Sequence, residues 1–526
     1  MKTKFFLMFA SAAMLLAACS KDDIGSGGDD SGVVTDPKGD AWVSIKVVTP
    51  STPASRALND PPIQNGTKDE SRINVIRAIF FTENEVVTED IELFPDQAGL
   101  DQDGQPIGAV GEAFLVLATS KRILLVANPS ESFPPAYVTM GGMTYDGINA
   151  AIEEEAFKIS SPERGFMMTN SKGGLEPSFP DGADKDLELY KTAKQAKDNT
   201  LTIHLDRVVA KVRVTIEPNT EYPNHIILEE SGWLLNVTNR KYYPVSKRTP
   251  TWLEQTTGQF LTPFDKYKKG SYRIDPNYAE QNPVEYNYQY DSWGIGNNWN
   301  KSGTSEYCLE NTQTENYNQH VYTTHVLFKI KFIPGEYPVP DGPASTEQES
   351  SGDWIRLFGG NYTYSTLMEW IEAELTYKYS QPEPEDILTP YSNALNEYLK
   401  GVDLAQVDLN TYNVSAIMAN FREKQSEIET LSRRGCTVGD LSYYAEGFNY
   451  YKAMIRHDDT NEALNELGEF GVVRNSVYDI LVRAINKPGY PEIPTPGEEP
   501  DEEEGNYLSV QIKVNPWTWY SQEEEF

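Results

Sequence analysis

The segment LTIHLDRVVAKVRVTI, Leu201 to Ile216, lies near the middle of a chain of 526 residues and organises its fold. Its alternation of apolar and polar residues predicts one long strand or two consecutive strands. A chain of this length can form two or three domains with cores of their own. We therefore place a domain boundary inside this segment, between an N-terminal domain at 57–207 and a C-terminal domain at 208–485.

Apolar stretches on both sides of this segment indicate a mainly β fold. Strands are predicted for INVIRAIFF (Ile73 to Phe81), RILLVA (Arg122 to Ala127) and VYTTHVLFKIKFI (Val321 to Ile333). The 31 tyrosines, 37 glycines and 33 prolines favour strands joined by turns over a helical bundle. Helical spacing within Leu367 to Leu375 and within Val414 to Ile428 predicts helical insertions, mostly in the second domain.

Charge and motifs exclude several function classes. The net charge of −34 argues against nucleic acid and against anionic membrane surfaces as partners. The sequence contains no phosphate-binding loop, nucleophile elbow, H-E-x-x-H pair or paired C-x-x-C. Asp101 to Gly104 begins like a calcium loop but lacks the closing glutamate. We expect no catalytic residues, no metal and no cofactor, and we do not predict an enzyme.

The N-terminus predicts export. Met1 to Ala18 carries two lysines and then an apolar run that is too short to span a bilayer, which is typical of a cleaved secretory signal. The run ends in LAAC, which resembles a bacterial lipobox. Cys19 is therefore predicted to receive the lipid and to become the new N-terminus of an outer membrane lipoprotein precursor.

The other two cysteines, Cys308 and Cys436, are predicted to occupy an oxidising compartment. One interpretation is a disulfide, which would close a long loop and stabilise the fold by about 4–5 kcal/mol. The alternatives are two separate buried thiols, or a catalytic cysteine that uses His457.

The C-terminal tail combines a predicted linker with a predicted strand. The segment 486–506 has five prolines and many glutamates, so we expect an extended, self-repelling linker. It leads to YLSVQIKV, Tyr507 to Val514, whose two-residue period predicts a strand with one apolar face. Such a strand, within 507–526, could reach another molecule. Its candidate contact residues are Leu508, Val510, Ile512, Val514, Trp517 and Trp519.

A matching strand lies near the N-terminus. AWVSIKVVT, Ala41 to Thr49, places Val43, Ile45 and Val47 on one face and echoes the VQIKV of the tail. The polar, proline-rich stretch that follows contains Arg56 and Ala57, and proteases prefer exposed segments of this kind.

These features, taken in order, resemble the fimbrillins, the major fimbrial subunits of type V pili in Gram-negative oral and gut anaerobes. The short, or minor, fimbriae are the most similar branch. The resemblance is carried by the LAAC motif, AWVSIKV before S-R-A, RILLVANP, FMMTN, DRVVAKVRV, YCLENT, IRH, GVVRNSVY and the terminal VNPWTWYSQEEEF.

The resemblance implies two tandem transthyretin-like β-sandwich domains and a lipidated propeptide, 19–56, that contains a removable first strand. It also implies cleavage after Arg56 by an arginine-specific protease, after which the C-terminal strand of another copy fills the vacated groove. Burial of four aliphatic side chains of the tail offers about 6–12 kcal/mol before ordering costs. The predicted function is a structural stalk subunit of a cell-surface fimbrium, which supports adhesion and biofilm formation.

The predicted partners are copies of the chain in a head-to-tail filament, anchor and tip subunits, the protease, and receptors on host or bacterial surfaces. Two alternatives remain open. A non-polymerising surface lipoprotein adhesin would keep its lipid and pair its C-terminal strand within the same chain. The chain could also be an anchor or tip subunit of the same pilus. A secreted hydrolase is a third class.

Overall fold

The computed structural model describes most of the chain. The described residues are 32–36, 38–48, 66–100, 111–170, 187–218, 226–245, 247–249, 272–279, 282, 285–289, 296, 298–381, 389–391, 393, 413–419, 434–458, 466–485, 487–501 and 508–516. The fold is mainly β, as the sequence predicts. Among these residues, no helix combines the length and apolar character that a membrane crossing requires.

The strands of the N-terminal half are β1 Asp40–Val48, β2 Ile76–Phe81, β3 Val87–Leu93, β4 Ala113–Leu117, β5 Arg122–Ala127, β6 Ile152–Glu153, β7 Ser160–Ser161, β8 Gly165–Phe166, β9 Met168–Asn170 and β10 Leu201–Arg207. Seven of them form one sheet in the order β3-β2-β5-β9-β10-β1-β4, and β7 and β8 form a separate small hairpin.

Apart from Arg77 in β2 and Arg122 at the start of β5, these two internal strands are apolar, and they are buried because both of their faces are covered. The sheet is curved around the buried side chains of the N-terminal half, which include those of β2 and β5. Its two end strands approach each other, and the backbone N–H of Leu117 on β4 donates to the Glu89 carboxylate on β3 at 3.2 Å. The described part of this half also contains four short helices: α1 Lys68–Ser71, α2 Ala136–Thr139, α3 Tyr145–Ile148 and α4 Ala193–Asp198. Threonine side chains cap α1, α3 and α4 at their N-termini.

The second half contains the remaining strands and a longer helix. These elements are β11 Val209–Ile216, β12 Ile226–Asn236, β13 Thr238–Asn239, β14 Lys241–Tyr242, β15 Lys247–Arg248, β16 Arg273–Ile274, β17 Tyr286–Asn287, β18 Ser305–Leu309, β19 His325–Phe332, β20 Trp354–Leu357, β21 Gly360–Tyr362, α5 Tyr364–Tyr379, β22 Cys436–Val438, β23 Leu441–Tyr444, β24 Phe448–Met454, β25 Ser476–Ile485 and β26 Leu508–Pro516.

Two of its sheets pack against each other. The order in one is β18-β11-β25-β26 and in the other β12-β19-β24. Their facing side chains, among them Val212, Phe328 and Tyr451, share one buried cluster. The chain therefore changes sheet between β10 and β11, inside the segment Leu201 to Ile216.

A separate layer is inserted between β19 and β24. The sheet β21-β20-β23-β22 packs against α5. Leu367, Ile371 and Leu375, which the sequence places on one helical face, are all buried in this layer. Residues 414–419 are also helical, and Ile417 and Met418 are buried in the same cluster.

Of the interpretations of Cys308 and Cys436, the structure has two separate thiols and not a disulfide. Cys308 lies on β18 in the core between the two packed sheets, whereas Cys436 packs at the margin of the inserted layer. Burial raises the pKa of the Cys308 thiol well above its usual range, so this side chain behaves as a small apolar residue. A ring nitrogen of His457, the partner named for a catalytic cysteine, lies 2.7 Å from the Tyr478 hydroxyl.

Candidate functional site

Strand β1 lies inside the N-terminal sheet although it precedes the predicted cleavage site. Its first half pairs antiparallel with β4, from Asp40 to Ser44, and its second half pairs parallel with β10, from Ile45 to Val48. Val43, Ile45 and Val47, the predicted displaced residues, are at most 1% exposed. The segment that the sequence marks as removable therefore supplies part of the domain core.

The other face of β1 fits closely against the backbone of its neighbours. Ser44 is buried, and its hydroxyl donates to the Gly111 carbonyl at 3.0 Å and lies 2.9 Å from the Thr200 hydroxyl. A Cβ atom on Gly111 would lie 2.1 Å from the Ile45 carbonyl oxygen. Only glycine allows the two backbones to approach so closely, so little free space is left beside a strand in the position of β1.

The end strand β4 depends on β1 for its place in the sheet. Within the described residues, β1 is the only strand that pairs with β4. β4 is also held by the Leu117 N–H, which donates to the Glu89 carboxylate at 3.2 Å, and by Val116, which is buried in the core. Beside the strand, the backbone N–H of Ala118 donates to the Gly39 carbonyl at 2.9 Å, and Lys197 forms an exposed ion pair with Glu112. Exposed pairs of this kind contribute little. Removal of β1 would leave β4 without its strand partner.

The backbone of β1 and of the residues before it also bonds to the segment 187–190. Val34, before β1, donates its backbone N–H to the Leu189 carbonyl at 2.8 Å, and Trp42, within β1, exchanges two backbone hydrogen bonds of 2.8 Å with Tyr190. Removal of 19–56 would therefore expose backbone groups on both sides of β1.

Downstream of the predicted cleavage site, α1 fixes the chain at the junction of the two halves. The Glu70 carboxylate, which is buried, lies 2.6 Å from both the Lys211 ammonium and the Tyr307 hydroxyl. Burial acts to raise the pKa of Glu70, but its bonds with Lys211, Tyr307 and Thr67 outweigh burial and leave that pKa below its usual value. The Arg207 guanidinium also donates to the Glu70 carbonyl at 2.9 Å. This anchor belongs to the part of the chain that cleavage would retain.

The C-terminal strand β26 pairs with its own chain in this structure. It lies antiparallel to β25 along its length, at the edge of the four-stranded sheet. Val510 and Ile512 are half-buried against the core between the two packed sheets. The tail strand thus has one strand neighbour, whereas β1 has two.

The predicted free linker is wrong for residues 487–501, which lie against the second half of the chain. Tyr490 exchanges two backbone hydrogen bonds of 2.8 Å with Tyr450, and Ile493 is buried beside Trp299. Asp501, at the end of this stretch, is also buried. Composition alone misses these contacts, although the isolated isoleucine among prolines and glutamates is a signal that could have indicated them.

Several predicted site residues lie outside the described residues. They are Cys19, Arg56, Ala57, Trp517 and Trp519, and the side chains of Leu508 and Val514 are likewise not described. Among the described residues, no group of three or more His, Cys, Asp or Glu side chains is arranged to hold a metal ion.

Comparison with known families gives one match. Residues 442–523 match the family described as major fimbrial subunit protein type IV, fimbrillin, C-terminal. This region contains most of β23 and all of β24, β25 and β26, and therefore the tail strand with its present partner. No curated protein sequence matches the chain.

Among solved structures, the chain is similar to a fimbrilin from Porphyromonas gingivalis at 15% identity, covering 92% of this chain and 99% of that chain, with a TM-score of 0.38. It is similar to a tip fimbrial protein from Porphyromonas gingivalis with C-terminal truncation at 10% identity, covering 91% and 100%, with a TM-score of 0.35. A fimbrial assembly protein from Parabacteroides distasonis gives 11% identity, 58% and 84% coverage, and a TM-score of 0.28. These low identities and scores add nothing to the functional argument.

Proposed function

We propose, from the match of residues 442–523 to the fimbrillin C-terminal family, that the chain is the stalk subunit of a surface fimbria. It is exported as a precursor lipidated at Cys19, cleaved between Arg56 and Ala57, and polymerised head-to-tail by donation of its C-terminal strand. The observation that carries the proposal is the internal position of β1, a strand that lies before the cleavage site and whose V-x-I-K-V motif recurs in the tail.

Loss of β1 would create a slot between β4 and β10. Its floor would be the apolar core that now covers Val43, Ile45 and Val47, and its rims would be the unpaired backbone groups of both strands. An open edge of this kind is a template for a strand from another chain. A second copy of this chain carries a strand of matching pattern, so the proposed occupant is its tail.

The shared motif gives the register of the exchange. With Val510 at the position of Val43, Ile512 takes the position of Ile45 and residues 508–515 take those of 41–48. The donated strand then runs parallel to β10 and antiparallel to β4, as β1 does now. A shift by one residue would turn the apolar face away from the core, so this alternation restricts the register strongly.

Energy and connectivity both favour a polymer. Val510 and Ile512 are half-buried beside β25 and would become fully buried in the slot. Each fully buried aliphatic side chain contributes about 1.5–3 kcal/mol to the free energy of burial, so the exchange gains part of that amount for each of them. Donor and slot are different surfaces of the molecule, so the contact need not close into a ring and can propagate as a filament.

Cleavage is the proposed switch. Before cleavage β1 competes for the slot as part of the same chain, at a high effective concentration, and blocks a donor from outside. After cleavage the propeptide becomes a separate molecule that dilution can remove. The anchor at Glu70 keeps the new N-terminal region attached to the junction of the two halves.

The intrachain pairing of β26 favours a second candidate function, a non-polymerising surface lipoprotein adhesin that keeps its tail on β25. N-terminal sequencing of the surface form separates the two. A terminus at Ala57 supports the stalk, whereas a lipidated terminus at Cys19 supports the adhesin.

The proposal is tested by electron microscopy of the purified precursor after digestion with an arginine-specific protease. Filaments are expected from the native sequence, and the Arg56→Ala precursor is expected to stay monomeric. As a matched control, a variant with the site of an unrelated protease in place of 55–58 should form filaments with that protease alone. Normal filaments from Arg56→Ala would contradict the proposal.

A further inference from the structure

The stretch before the tail strand, residues 487–501, is held at both ends and is called the strap below. At its start, the Tyr444 hydroxyl donates to the Gly489 carbonyl at 2.8 Å, and the Gly489 N–H donates to the Asn449 side chain at 3.0 Å. In its middle, Ile493 is 5% exposed. The strap is therefore part of the second half of the chain.

The end of the strap pairs with the loop before β19. The backbone N–H groups of Val321 and His320 donate to the carbonyls of Gly497 and Glu499 at 2.9 and 3.1 Å. In the opposite direction, the Asp501 N–H donates to the Asn318 carbonyl at 3.1 Å. Three backbone bonds thus hold the last five residues of the strap on this loop.

Asp501 differs from the other acids of this run. Its side chain is buried, and one carboxylate oxygen accepts a hydrogen bond from the Thr323 hydroxyl, which in turn accepts from the Gln313 amide at 2.6 Å. Its other oxygen has no hydrogen-bond partner among the described residues. By contrast, the Glu499 side chain is 52% exposed. Burial of a carboxylate costs free energy, and the hydrogen bond from the Thr323 hydroxyl offsets part of that cost.

We propose that Asp501 is a positioning residue that fixes the point at which the donor strand leaves its own domain. The inference rests on the proposed function and goes beyond it. If the whole segment 486–507 were free, its 22 residues could span about 70–80 Å, whereas the six residues 502–507 can span only about 20 Å. The acceptor slot of the neighbouring subunit must then lie close to Asp501. The contacts of Asp501 with Thr323 and Asn318, called the clasp below, set a uniform spacing between subunits.

Charged groups around Asp501 make the clasp depend on pH. Burial raises the pKa of the Asp501 carboxyl to about 8; the Thr323 hydroxyl, Lys452 and Arg456 act against burial, and Glu469 acts with it. Because this folded-state pKa lies above the ordinary value of 3.8, the stabilisation of the clasp is complete below that value and is lost as the pH rises through about 8.

The neighbouring His320 and Glu499 do not reverse this direction. His320 is buried, and one of its ring nitrogens lies 2.5 Å from the Lys452 ammonium. Burial, helped by Lys452, lowers the pKa of His320 to about 4, so its ring stays neutral where Asp501 titrates. The Glu499 carboxylate lies 3.9 Å from that ring on the exposed side.

The test measures amide hydrogen exchange in the uncleaved full-length precursor, so it does not require polymerisation. Asp501→Ala removes the acceptor for Thr323 and is expected to raise exchange at His320 and Val321 by about tenfold or more. Asp501→Asn keeps an acceptor oxygen without the charge, so exchange should stay within about twofold of the native value. Glu499→Ala is the matched surface control and should also stay within about twofold.

Unchanged exchange in Asp501→Ala, or an equal increase in Glu499→Ala, would overturn the clasp. The pH series gives a second criterion. After correction for intrinsic exchange, opening of residues 318–321 should increase from about pH 5 to about pH 9 in the native precursor but not in Asp501→Asn. The same increase in both would show that Asp501 does not control this segment.

The positioning role is tested on filaments of the cleaved protein. Native filaments are expected to have one subunit spacing and Asp501→Ala filaments a broad distribution of spacings. Uniform, native spacing in Asp501→Ala would overturn the positioning role. If the cleaved native protein forms no filaments, the proposed function fails, and the exchange measurements still decide whether Asp501 holds the strap.

Discussion

Strands β1 and β26 carry the same V-x-I-K-V letters but occupy different environments. In β1, Val43 and Ile45 are completely buried between two strand neighbours. In β26, Val510 and Ile512 are half-buried at the edge of a sheet, beside one neighbour. The same motif is therefore buried to different degrees in the two sites. The tail strand is less buried on β25 than the same motif is in the position of β1.

This comparison gives each strand a different role. β1 completes the core of the N-terminal half, so its loss leaves an apolar slot and an unpaired β4. β26 lies at the edge of a sandwich, and its Val510 and Ile512 are only partly buried against a core to which β11 and β25 contribute fully buried residues. An edge strand can leave its domain at lower cost than an internal strand, which is why the tail is the better donor and β1 the strand that must be removed by cleavage.

The largest effect is expected from removal of one of the two strands, β26. Deletion of 507–526 should give a protein that is exported and processed but does not polymerise, because the slot then has no donor. Analytical ultracentrifugation and electron microscopy after proteolysis measure the result. Efficient polymerisation of the truncated protein would place the donor elsewhere in the chain.

Two matched substitutions in the precursor compare how much each strand contributes to the free energy of unfolding. Ile45→Ala should lower the free energy of unfolding of the N-terminal half by about 2–5 kcal/mol, because it opens a cavity in a closed core. Ile512→Ala should lower the free energy of unfolding by about 1 kcal/mol or less, since that side chain is half-buried at an edge. Urea unfolding followed by tryptophan fluorescence measures both, and equal losses would remove the distinction between the two sites.

The smallest expected effect concerns the one buried polar position of β1. In the proposed register Gln511 takes the place of Ser44, whose hydroxyl donates to the Gly111 carbonyl. Gln511→Ser should therefore leave the precursor unchanged within about 0.5 kcal/mol and stabilise the filament by up to about 1 kcal/mol. Filament dissociation in urea measures the change. A large loss of filament stability would argue for another register.

The mainly β fold and the two strands of interest could be predicted from the sequence, because alternation over seven or more residues has few other structural meanings. The resemblance to fimbrial subunits is confirmed by the family match to residues 442–523. The short-fimbriae branch stays a prediction.

Other features could not be read from local pattern. The two-residue strands, such as β6 and β14, pair across the two halves and are too short to have a period. The dependence of β4 on β1 is a contact between distant segments. The strap was missed because backbone carbonyls, Ile493 and Asp501 hold it, while its prolines and glutamates resemble those of a free linker. An even number of cysteines gives no information on their distance, so the sequence alone could not decide between a disulfide and two separate thiols.

The most direct test of the central claim joins the tail of one copy to the slot of another. Trp42 bonds to Tyr190 through both backbone groups, so Trp42 and Leu115 form a non-hydrogen-bonded pair, the type with the closest side chains. In the proposed register, Ser509 takes the place of Trp42. One copy should carry Leu115→Cys and the other Ser509→Cys, with the native cysteines replaced.

After both copies are mixed and cleaved, oxidation should give a disulfide-linked pair in high yield, and a low yield when Gln511→Cys replaces Ser509→Cys. Uncleaved copies should give none. Absence of the Leu115–Ser509 link in cleaved protein, or an equal yield without cleavage, would contradict the claim that the tail of one subunit replaces β1 of another.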